Sequence, residues 1–475
     1  MRSVGTSLTR KTLAAPTLAL ALLGGCTLEP AYQRPALPTP TAFPQAEAGG
    51  TAAGPTAASH GWQTFFIDPK LRATIHLALD NNRDLRVAIA NIEASRALYR
   101  VQRAALLPTV DASAGVAYGR QQTASASGAV VPYQEHQYSA SVGASAYELD
   151  LFGRVRSLSH EALETYLATE EARRASQISI ISETATDYLT LASDEAILQT
   201  AKDTQISSAA SLDVTQKRFD HGVASQLDVS QAQTLVQQAR ADVAADTTLV
   251  AQDKNALDLV VGAPVPTALL PTALDERLMV LTELPPGLPS DVLLARPDVL
   301  QAEHQLKSAN AQIGAARAAF FPTISLTGSG GATSASLSNL FKGASGIWSF
   351  APQVSVPLFA GGANRANLDY AKAERTVYVA QYEKAVQSAF RDVANALARR
   401  ATVAEQLAAD EAYVAASADA LHLAEARYER GADTYLNVLT AQRTLYAAQQ
   451  ALASTRLIRS TNLVSLYQAL GGGVQ

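Results

Sequence analysis

Cysteine is nearly absent from this chain: only Cys26, of 475 residues, carries a thiol. A single cysteine cannot form an internal disulfide, and no second thiol is available for a metal site. Methionine is almost as rare, and Met1 and Met279 alone argue against a thioether relay for soft metals. The seven histidines are scattered without the spacing of a metal-binding motif. We therefore expect neither a metal nor any other cofactor.

Aromatic and charged residues are also scarce, at 6% and 17% of the chain, which is unusual for a globular enzyme. The net charge of −5 offers no basic surface for nucleic acid. The sequence contains no G-x-S-x-G, phosphate-binding loop or dinucleotide fingerprint. No pair of carboxylates stands out as a general acid and base. We predict that the protein is not an enzyme.

Residues 1–25 have the pattern of a secretory signal peptide. Basic residues precede an apolar run over residues 13–23, which is too short to cross a bilayer as a helix. The run ends in Leu-Gly-Gly before Cys26, which resembles a bacterial lipobox whose cysteine is lipidated. In bacterial lipoproteins an Asp after this cysteine favours retention at the inner membrane. This chain has Thr27 there, which fits the outer membrane. Residues 26–67, rich in Pro, Ala, Gly and Thr, are predicted to be a lipidated, extended arm that does not pack.

The rest of the sequence contains the same series of short motifs twice. Arg-aromatic-x-x-Gly at 218–222 returns at 427–431, Leu-Leu-Pro-Thr at 106–109 returns as Phe-Phe-Pro-Thr at 320–323, and Leu-Phe-Gly at 151–153 returns as Leu-Phe-Ala at 358–360. These motifs recur in the same order and at nearly the same distance along the chain, which predicts a tandem duplication. The predicted repeats are residues 68–262 and 291–472, joined by a proline-rich linker at 263–290.

Two stretches, 154–219 and 364–429, contain neither proline nor glycine. A helix of the first length would extend roughly 100 Å. Apolar residues recur in both at steps of three and four: Ile178, Ile181, Ala185, Tyr188 and Ala192, and Val386, Phe390, Val393 and Leu397. Gly222 and Gly431 then permit a reversal of the backbone before helical patterns resume. We predict two long helical hairpins that need lateral neighbours, including other chains.

In four segments the apolar residues alternate with small or polar ones, a period of two: about 109–118, 138–148, 323–331 and 348–358. Residues 119–137 are predicted to be a loop. Each predicted strand has one apolar face and one face of Ser, Gly, Thr or Gln, with the length that crosses a membrane when tilted. A half-exposed soluble sheet would alternate in the same way. If the strands are in a membrane, several chains must share a barrel, because four strands cannot close one and lipid does not tolerate an open edge.

These motifs together resemble the TolC-like outer-membrane efflux proteins, in the lipoprotein branch that includes the NodT-type channels. The resemblance covers residues 26–475 and rests on segments 23–26, 32–35, 148–154, 295–299 and 320–323 with both Arg-aromatic-x-x-Gly turns. It implies a mainly α fold with a membrane β part: a homotrimer, four strands per chain in a twelve-stranded β-barrel, and a periplasmic α-barrel. It also implies a channel that passively conducts drugs or other small molecules from an inner-membrane pump and a periplasmic adaptor to the exterior.

The family places the helical turns at a periplasmic tip, where the adaptor docks and the aperture lies. By that resemblance the docking residues are Arg218, Gly222, Leu227, Asp228, Arg427, Tyr428, Gly431, Leu436 and Asn437. The implied aperture residues are Asp433, Thr440 and Arg443. Relatives often have an Asp where this chain has Thr440, so a cation-attracting ring is in doubt, although Asp228 and Asp433 are near enough to replace it.

Two other classes stay open. A structural lipoprotein could use the long helices as a periplasmic spacer, but this leaves the alternating strands unexplained. Within the channel class, the protein could serve type I secretion or metal efflux.

Overall fold

The computed structural model of the chain describes residues 27–43, 61–124, 128, 130–271 and 290–472. The predicted signal peptide at 1–25, the predicted lipidation site Cys26 and most of the predicted linker at 263–290 lie outside the described residues.

The described chain is mostly helical, with four strands. The helices are α1 Trp62–Phe65, α2 Pro69–Asn81, α3 Arg83–Ala104, α4 Arg154–Asp220, α5 Gln226–Val261, α6 Pro297–Ala318, α7 Ala363–Glu429 and α8 Tyr435–Ala469. The strands are β1 Val110–Ala124, β2 Val130–Leu149, β3 Thr323–Ser334 and β4 Gly346–Ser355. Short 3₁₀ turns occur at Thr267–Leu269, Ser290–Ala295, Leu337–Asn339 and Gly343–Ser345. Across these residues, no helix is both long enough and apolar enough to span a bilayer.

The chain forms two compact units that do not coincide with the sequence repeats. The sheet unit comprises Met1–Pro35, Glu93–Ala168 and Ala302–Gln381. The helical unit comprises Ala36–Ile92, Thr169–Gln301 and Tyr382–Gln475. Each unit takes segments from both predicted repeats, because the long helices α4 and α7 contribute residues to both.

The four strands form one antiparallel sheet in the order β1-β2-β3-β4. Its two faces differ in chemistry. Partners in register place Ser113, Ser141, Gly331, Ser329 and Ser349 on one side, here called the serine face. Hydroxyl pairs join Ser113 to Ser141 at 2.9 Å and Ser329 to Ser349 at 2.8 Å. The other side, the apolar face, presents the exposed residues Val116, Tyr118, Val142, Trp348 and Phe350.

Two glycines on the serine face lie close to the neighbouring strand. A Cβ atom added to Gly331 would lie 2.8 Å from the Cβ of Ser141, and one added to Gly143 would lie 2.7 Å from the Cβ of Ser329. By contrast, a Cβ added to Gly330, on the apolar face, meets nothing within 4 Å. A larger residue at Gly143 or Gly331 would therefore clash with the neighbouring strand, whereas one at Gly330 would not.

The prediction of a loop over residues 119–137 is wrong for most of that segment. β1 continues to Ala124 and β2 begins at Val130, and Arg120 pairs with Gln134 across the ladder. Strand pairing uses backbone groups, so polar side chains that are exposed on both faces do not end it. The segment lacks an apolar face, which is why its composition was interpreted as a loop.

The predicted long helices are confirmed, with α4 and α7 ending at Asp220 and Glu429. The five predicted stripe residues of α4 are at most 4% exposed: Ile178, Ile181, Ala185, Tyr188 and Ala192. In α7, Val386 and Val393 are fully buried, whereas Phe390 and Leu397 are half-buried.

The prediction that the N-terminal arm does not pack is wrong. Residues 27–43 contain no helix, but Phe43 is 1% exposed and stacks on Phe390 with ring centroids 4.7 Å apart. At the other end of the arm, Trp62 and Phe65 lie in the apolar core of the helical unit. Large aromatic side chains bury enough surface to fix a segment whose composition otherwise favours an extended chain.

Candidate functional site

The first helical turn joins α4 to α5. Gly222 has a φ of 73°, in the left-handed region that favours glycine. The N–H of Val223 donates to the carbonyl of Arg218 at 2.8 Å, and the N–H of Gly222 donates to the carbonyl of Phe219 at 2.8 Å. These bonds satisfy carbonyls that the end of α4 would otherwise leave unpaired, so the glycine ends the helix and reverses the chain.

Helix α5 begins with a reciprocal cap. The N–H of Asp228 donates to the hydroxyl of Ser225 at 3.2 Å, and the N–H of Ser225 donates to Oδ2 of Asp228 at 2.9 Å. This is a capping box, and its Ser-x-x-Asp signature is visible in the sequence. Ser225 is not among the predicted site residues, although this signature marks it as a helix cap. Asp228 is thus engaged in the turn.

The second turn, from α7 to α8, repeats the glycine but changes the cap. Gly431 has a φ of 70°, and the N–H of Ala432 donates to the carbonyl of Arg427 at 2.9 Å. Here Oδ1 of Asp433 accepts from the N–H of Thr434 at 2.8 Å and from the Asn437 side chain. Its Oδ2 accepts from Nε of Arg427 at 3.1 Å. These hydrogen bonds lower the pKa of Asp433, and the bond from the Thr434 N–H has the largest effect. The carboxylate is therefore ionised.

The two turns are in direct contact with each other. The guanidinium carbon of Arg218 lies 4.3 Å from the centroid of the Tyr428 ring, and Nη1 donates to the Tyr428 carbonyl at 3.3 Å. Such cation–π pairs contribute about 0.5–1 kcal/mol at exposed sites. Both residues were predicted for the docking site, but nothing in the local sequence signals that they meet, since α5, α6, β3, β4 and most of α7 separate them along the chain.

A small apolar cluster lies beneath this contact. Tyr435 is 1% exposed, and its hydroxyl pairs with that of Ser211 at 3.1 Å. The cluster comprises Ala232, Leu235, Tyr435, Val438 and Leu439. Tyr435 and Ser211 were not predicted, because their importance arises from packing between helices that are distant in sequence.

Some predicted docking residues stay open to solvent. Leu227 is 65% exposed and Leu436 is 51% exposed, at corresponding positions after the two turns. Val223, in the first turn, is 66% exposed. The turns therefore carry apolar side chains that the described residues of this chain do not cover.

The three predicted aperture residues have separate partners. Thr440 donates to the Leu436 carbonyl within its own helix at 2.8 Å, and Nη2 of Arg443 lies 3.4 Å from Oγ1 of Thr234. Asp433 pairs with Arg427. The structure therefore does not join Asp433 to Arg443 within one chain.

A polar clamp holds the start of the arm to the sheet unit. The carboxylate of Glu303, whose side chain is 3% exposed, accepts from the Tyr32 hydroxyl at 3.1 Å. It also accepts from Arg34, through Nε at 3.1 Å and Nη2 at 2.8 Å. An ion pair so well bonded offsets the desolvation of the buried carboxylate.

Glu29 in the same arm contacts a histidine–carboxylate chain. Nδ1 of His160 lies 3.0 Å from Glu29, its Nε2 lies 3.3 Å from Glu164, and Glu164 lies 2.6 Å from Nδ1 of His304. Hydrogen bonds with Glu164 and Glu29 raise the pKa of His160 to about 10, so the ring is protonated at neutral pH. The sequence analysis had treated these histidines as scattered. In the parts of the chain that the structure describes, no three such side chains are placed to hold a metal ion.

Thr27, the first described residue of the arm, lies against Gly153. Gly153 has a φ of 76°, and a Cβ there would be 3.0 Å from the Cα of Thr27. Gly153 is followed directly by α4 and comes four residues after the end of β2 at Leu149. The structure therefore fixes the chain next to Cys26 at the junction between the sheet and a long helix.

Comparison with known proteins identifies the family. The model of the outer membrane efflux protein family matches residues 74–263 and 288–472, which together make up most of the chain. The chain is 47% identical over 470 residues to the probable efflux pump outer membrane protein TtgC of Pseudomonas putida, covering 98% of this chain and 96% of the relative. It is 42% identical over 451 residues to the outer membrane protein OprJ of Pseudomonas aeruginosa, covering 95% and 94%.

A solved structure has the same fold. The open state of the MtrE outer membrane channel of Neisseria gonorrhoeae superposes with a TM-score of 0.83 at 38% identity, covering 94% of this chain and 98% of that one. The predicted fold class, mainly α with a membrane β part and a duplicated sequence, is confirmed. The chain therefore belongs to the outer membrane efflux protein family, a family of transport channels, and is the outer-membrane channel component of an efflux pump.

Proposed function

We propose that three copies of this chain form the channel, and that their sheets close into one twelve-stranded barrel. Within the sheet, β1 and β4 each have a neighbour on one side only. An open edge would leave backbone groups unpaired in lipid, whereas pairing β1 of one copy with β4 of the next satisfies them. Closure with the serine face inside gives the pore a polar lining.

The two faces then have distinct surroundings. The apolar face, where Trp348 is 82% and Phe350 is 62% exposed in the single chain, contacts lipid. The serine face lines a water-filled pore. This apolar-outside, polar-inside alternation is that of outer-membrane barrels. The family's passive conduction requires no covalent chemistry, which supports the prediction that this chain is not an enzyme.

The helical turns are the proposed docking surface for a periplasmic adaptor protein. Leu227 and Leu436, with Val223, provide the apolar contact. The remaining predicted residues shape the turns: Arg218, Gly222, Asp228, Arg427, Tyr428, Gly431 and Asn437. Small exposed apolar groups held on rigid turns are well suited to a partner interface, because little conformational entropy is lost on binding.

The proposed cargo is small molecules, including drugs, delivered by an inner-membrane pump. The similarity to TtgC, a probable efflux pump outer membrane protein, supports this cargo. Asp433, Thr440 and Arg443 lie close to the second turn and are the proposed aperture residues. Because Asp228 and Asp433 are bonded within the turns and Thr440 carries no charge, we propose an aperture with weak cation selectivity.

Cys26 is the proposed lipid attachment site. The position of Thr27 against Gly153, close to the end of β2, supports this, since an acyl chain on the preceding residue would start near the proposed barrel. We also propose that residues 68–262 and 291–472 are the duplicated units, with 1–25 removed as a signal peptide, 26–67 as the arm and 263–290 as the linker.

The docking proposal rests most directly on the exposure of Leu227 and Leu436. A double variant, Leu227→Asp with Leu436→Asp, is expected to abolish drug efflux in cells while the oligomer and its amount in the outer membrane stay unchanged. Ser230→Asp, at another exposed position one turn further along α5, is the control and should retain efflux. Normal efflux by the double variant would refute docking through these leucines.

A further inference from the structure

The connection between β3 and β4, residues 335–345, folds back over the sheet. Its two 3₁₀ turns flank Leu340, which is only 5% exposed, whereas the neighbouring Phe341 is 83% exposed. Residues 340–343 and the sheet enclose an open cavity of about 660 Å³. This volume falls within the range of ligand sites in proteins, roughly 300–1,000 Å³.

The cavity lies on the apolar face of the sheet. Its floor contains two rows of residues that are partners in register across β1, β2 and β3: Ala112, Val142 and Gly330, and Ala114, Ala140 and Ala332. Val142 belongs to the apolar face, and the register places the other five on the same side. These residues are apolar and mostly small, so the floor of the cavity offers room and contact area to a hydrocarbon chain.

The connectivity places the cavity at the end of the sheet that faces away from the helices. Helices α3 and α6 precede β1 and β3, and α4 and α7 follow β2 and β4, so all four adjoin one end of the antiparallel sheet. The cavity lies at the other end, where β3 ends at Ser334 and β4 begins at Gly346. Because β3 and β4 contain 12 and 10 residues, a length that crosses a bilayer when tilted, this end reaches the outer leaflet in the proposed barrel.

Aromatic side chains on the same face mark this level as an interface. Trp348 is 82% exposed and is the β4 partner of Gly330 in the cavity floor. Tyr138 lies two residues from Ala140 on β2, in the direction away from the helices, and its hydroxyl pairs with that of Tyr118. Outer-membrane barrels carry girdles of aromatic residues where the hydrocarbon meets the polar layer. The cavity therefore lies where the acyl chains and headgroups of outer-leaflet lipids meet.

A single positive charge adjoins the cavity. Lys342 lines it and is the only charged residue between Arg317 and Arg365. Its ammonium donates to the side-chain oxygen of Asn339 at 2.5 Å, a neutral partner that positions the charge without neutralising it. The carbonyl of Asn339 accepts in turn from the N–H of Lys342 at 3.1 Å and from the Ser345 hydroxyl at 2.6 Å, which gives the connection a defined shape.

We propose that this cavity binds a phosphate-bearing lipid of the outer leaflet, with an acyl chain in the cavity and the phosphate against Lys342. The proposal rests on the proposed barrel, which places the apolar face in lipid. Basic residues at a membrane surface attract anionic headgroups, and burial of an acyl chain adds hydrophobic stabilisation. Such a lipid uses both parts of the site, whereas a free phosphate ion would use only Lys342 and a neutral lipid only the cavity.

Quenching of tryptophan fluorescence by brominated lipids tests this directly, because Trp62 and Trp348 are the only tryptophans in the chain. Trp62→Phe leaves Trp348, beside the cavity, as the sole fluorophore. The protein is reconstituted into dioleoylphosphatidylcholine vesicles that contain brominated phosphatidylglycerol or brominated phosphatidylcholine. We expect the anionic lipid to quench Trp348 at a several-fold lower mole fraction. The parent protein allows the same comparison, since Trp62, buried in the helical unit, adds only an unquenched background.

A pair of charge variants separates a site from general attraction. Lys342→Gln is expected to remove the preference, so that both brominated lipids quench equally. Arg120→Gln removes the same charge from the outward part of β1, six residues beyond Ala114 and outside the cavity lining, and should keep the preference. An equal loss of preference in both variants would show attraction to a basic surface and overturn the site.

A pair of glycine variants tests the cavity itself. Gly330→Leu fills the cavity and is expected to remove the preference, whereas Gly328→Leu adds the same side chain two residues away on β3, outside the cavity lining, and should keep it. A Cβ on Gly330 meets nothing within 4 Å, and one on Gly328 lies 3.7 Å from the Phe350 ring, so neither substitution creates a clash at Cβ.

Failure of the site and failure of the barrel give different results. If both brominated lipids quench Trp348 equally in the parent protein, the site is refuted while the apolar face remains in lipid. If neither lipid quenches Trp348, the placement of the apolar face in lipid is refuted, and the site with it.

Discussion

The side-chain amide of Asn82 donates a 2.7 Å hydrogen bond to the carbonyl of Val260, in the last turn of α5. Arg296 has the equivalent role in the second repeat, where its Nη1 donates to the carbonyl of Ala469, the last residue of α8. Both residues directly precede a helix, α3 in one case and α6 in the other. In each repeat, a side chain that precedes an early helix thus caps the C-terminal end of the last helix, α5 or α8.

Asn82→Ala is expected to lower the thermal stability of the detergent-solubilised protein. The substitution leaves the Val260 carbonyl unpaired and also removes the 2.9 Å bond from the N–H of Leu85 to Oδ1 of Asn82. An unpaired buried polar group costs about 1–3 kcal/mol. Arg83→Ala, at the exposed neighbouring position, should leave the melting temperature nearly unchanged. Equal melting temperatures for the two variants would contradict the cap.

Gly262→Ala should destabilise the protein more than Gly222→Ala. The two glycines have nearly the same φ, 75° and 73°, so the backbone strain of an alanine is matched at roughly 1–2 kcal/mol. Their surroundings differ: a Cβ on Gly262 would lie 2.6 Å from the carbonyl oxygen of Asn81, whereas a Cβ on Gly222 meets nothing within 4 Å. Differential scanning fluorimetry of both variants measures the difference, and a larger loss for Gly222→Ala would refute it.

Stability should fall as the pH rises from about 4 to about 7. The pKa of Asp194 is raised to about 7, mainly because the side chain is buried. A hydrogen bond with Asp253 and the charges of Asp253 and Asp246 on α5 raise it further. The folded state therefore prefers the protonated acid, while the unfolded chain ionises near its usual pKa of about 4. The contribution of protonated Asp194 to stability is therefore complete below about pH 4, and it is lost as the pH rises to the folded pKa of about 7.

The pH dependence is tested by melting temperatures at pH 5 and pH 8. Asp194→Asn should be more stable than the parent at pH 8 and should show a smaller difference between the two conditions. Asp203→Asn is the control, because Asp203 is exposed and accepts a hydrogen bond from Gln199 of its own helix. A parent protein that is more stable at pH 8 than at pH 5 in this range, with Asp194→Asn unchanged, would contradict the assignment.

Arg218→Ala is expected to loosen the two helical turns and to raise the conductance of the channel. The substitution removes the cation–π contact with Tyr428 and the bond to its carbonyl, which join the two turns directly. Lys217→Ala, whose side chain pairs with the exposed Asp213 one turn away, serves as the matched control. Single-channel recording in a planar bilayer compares the two. A conductance of Arg218→Ala that does not exceed that of Lys217→Ala would contradict this role of Arg218.

The sequence was sufficient for the long elements and insufficient for the contacts between them. Stretches without proline and glycine predicted α4 and α7 almost to the residue, because nothing in them interrupts a helix. Period-two alternation located the strands but not their ends, since the polar continuation of β1 has no buried face. The packing of Phe43 on Phe390 and of Arg218 on Tyr428 depends on residues brought together by the fold, and no local pattern encodes such pairs.

The most direct test of the central claim combines oligomer mass with conductance. The mature protein, purified in detergent, is weighed by mass photometry or light scattering and then inserted into a planar bilayer. The account predicts a trimer that conducts ions in small, discrete steps. A monomer or dimer that gives no conductance, even when the turns are loosened by Arg218→Ala, would contradict it.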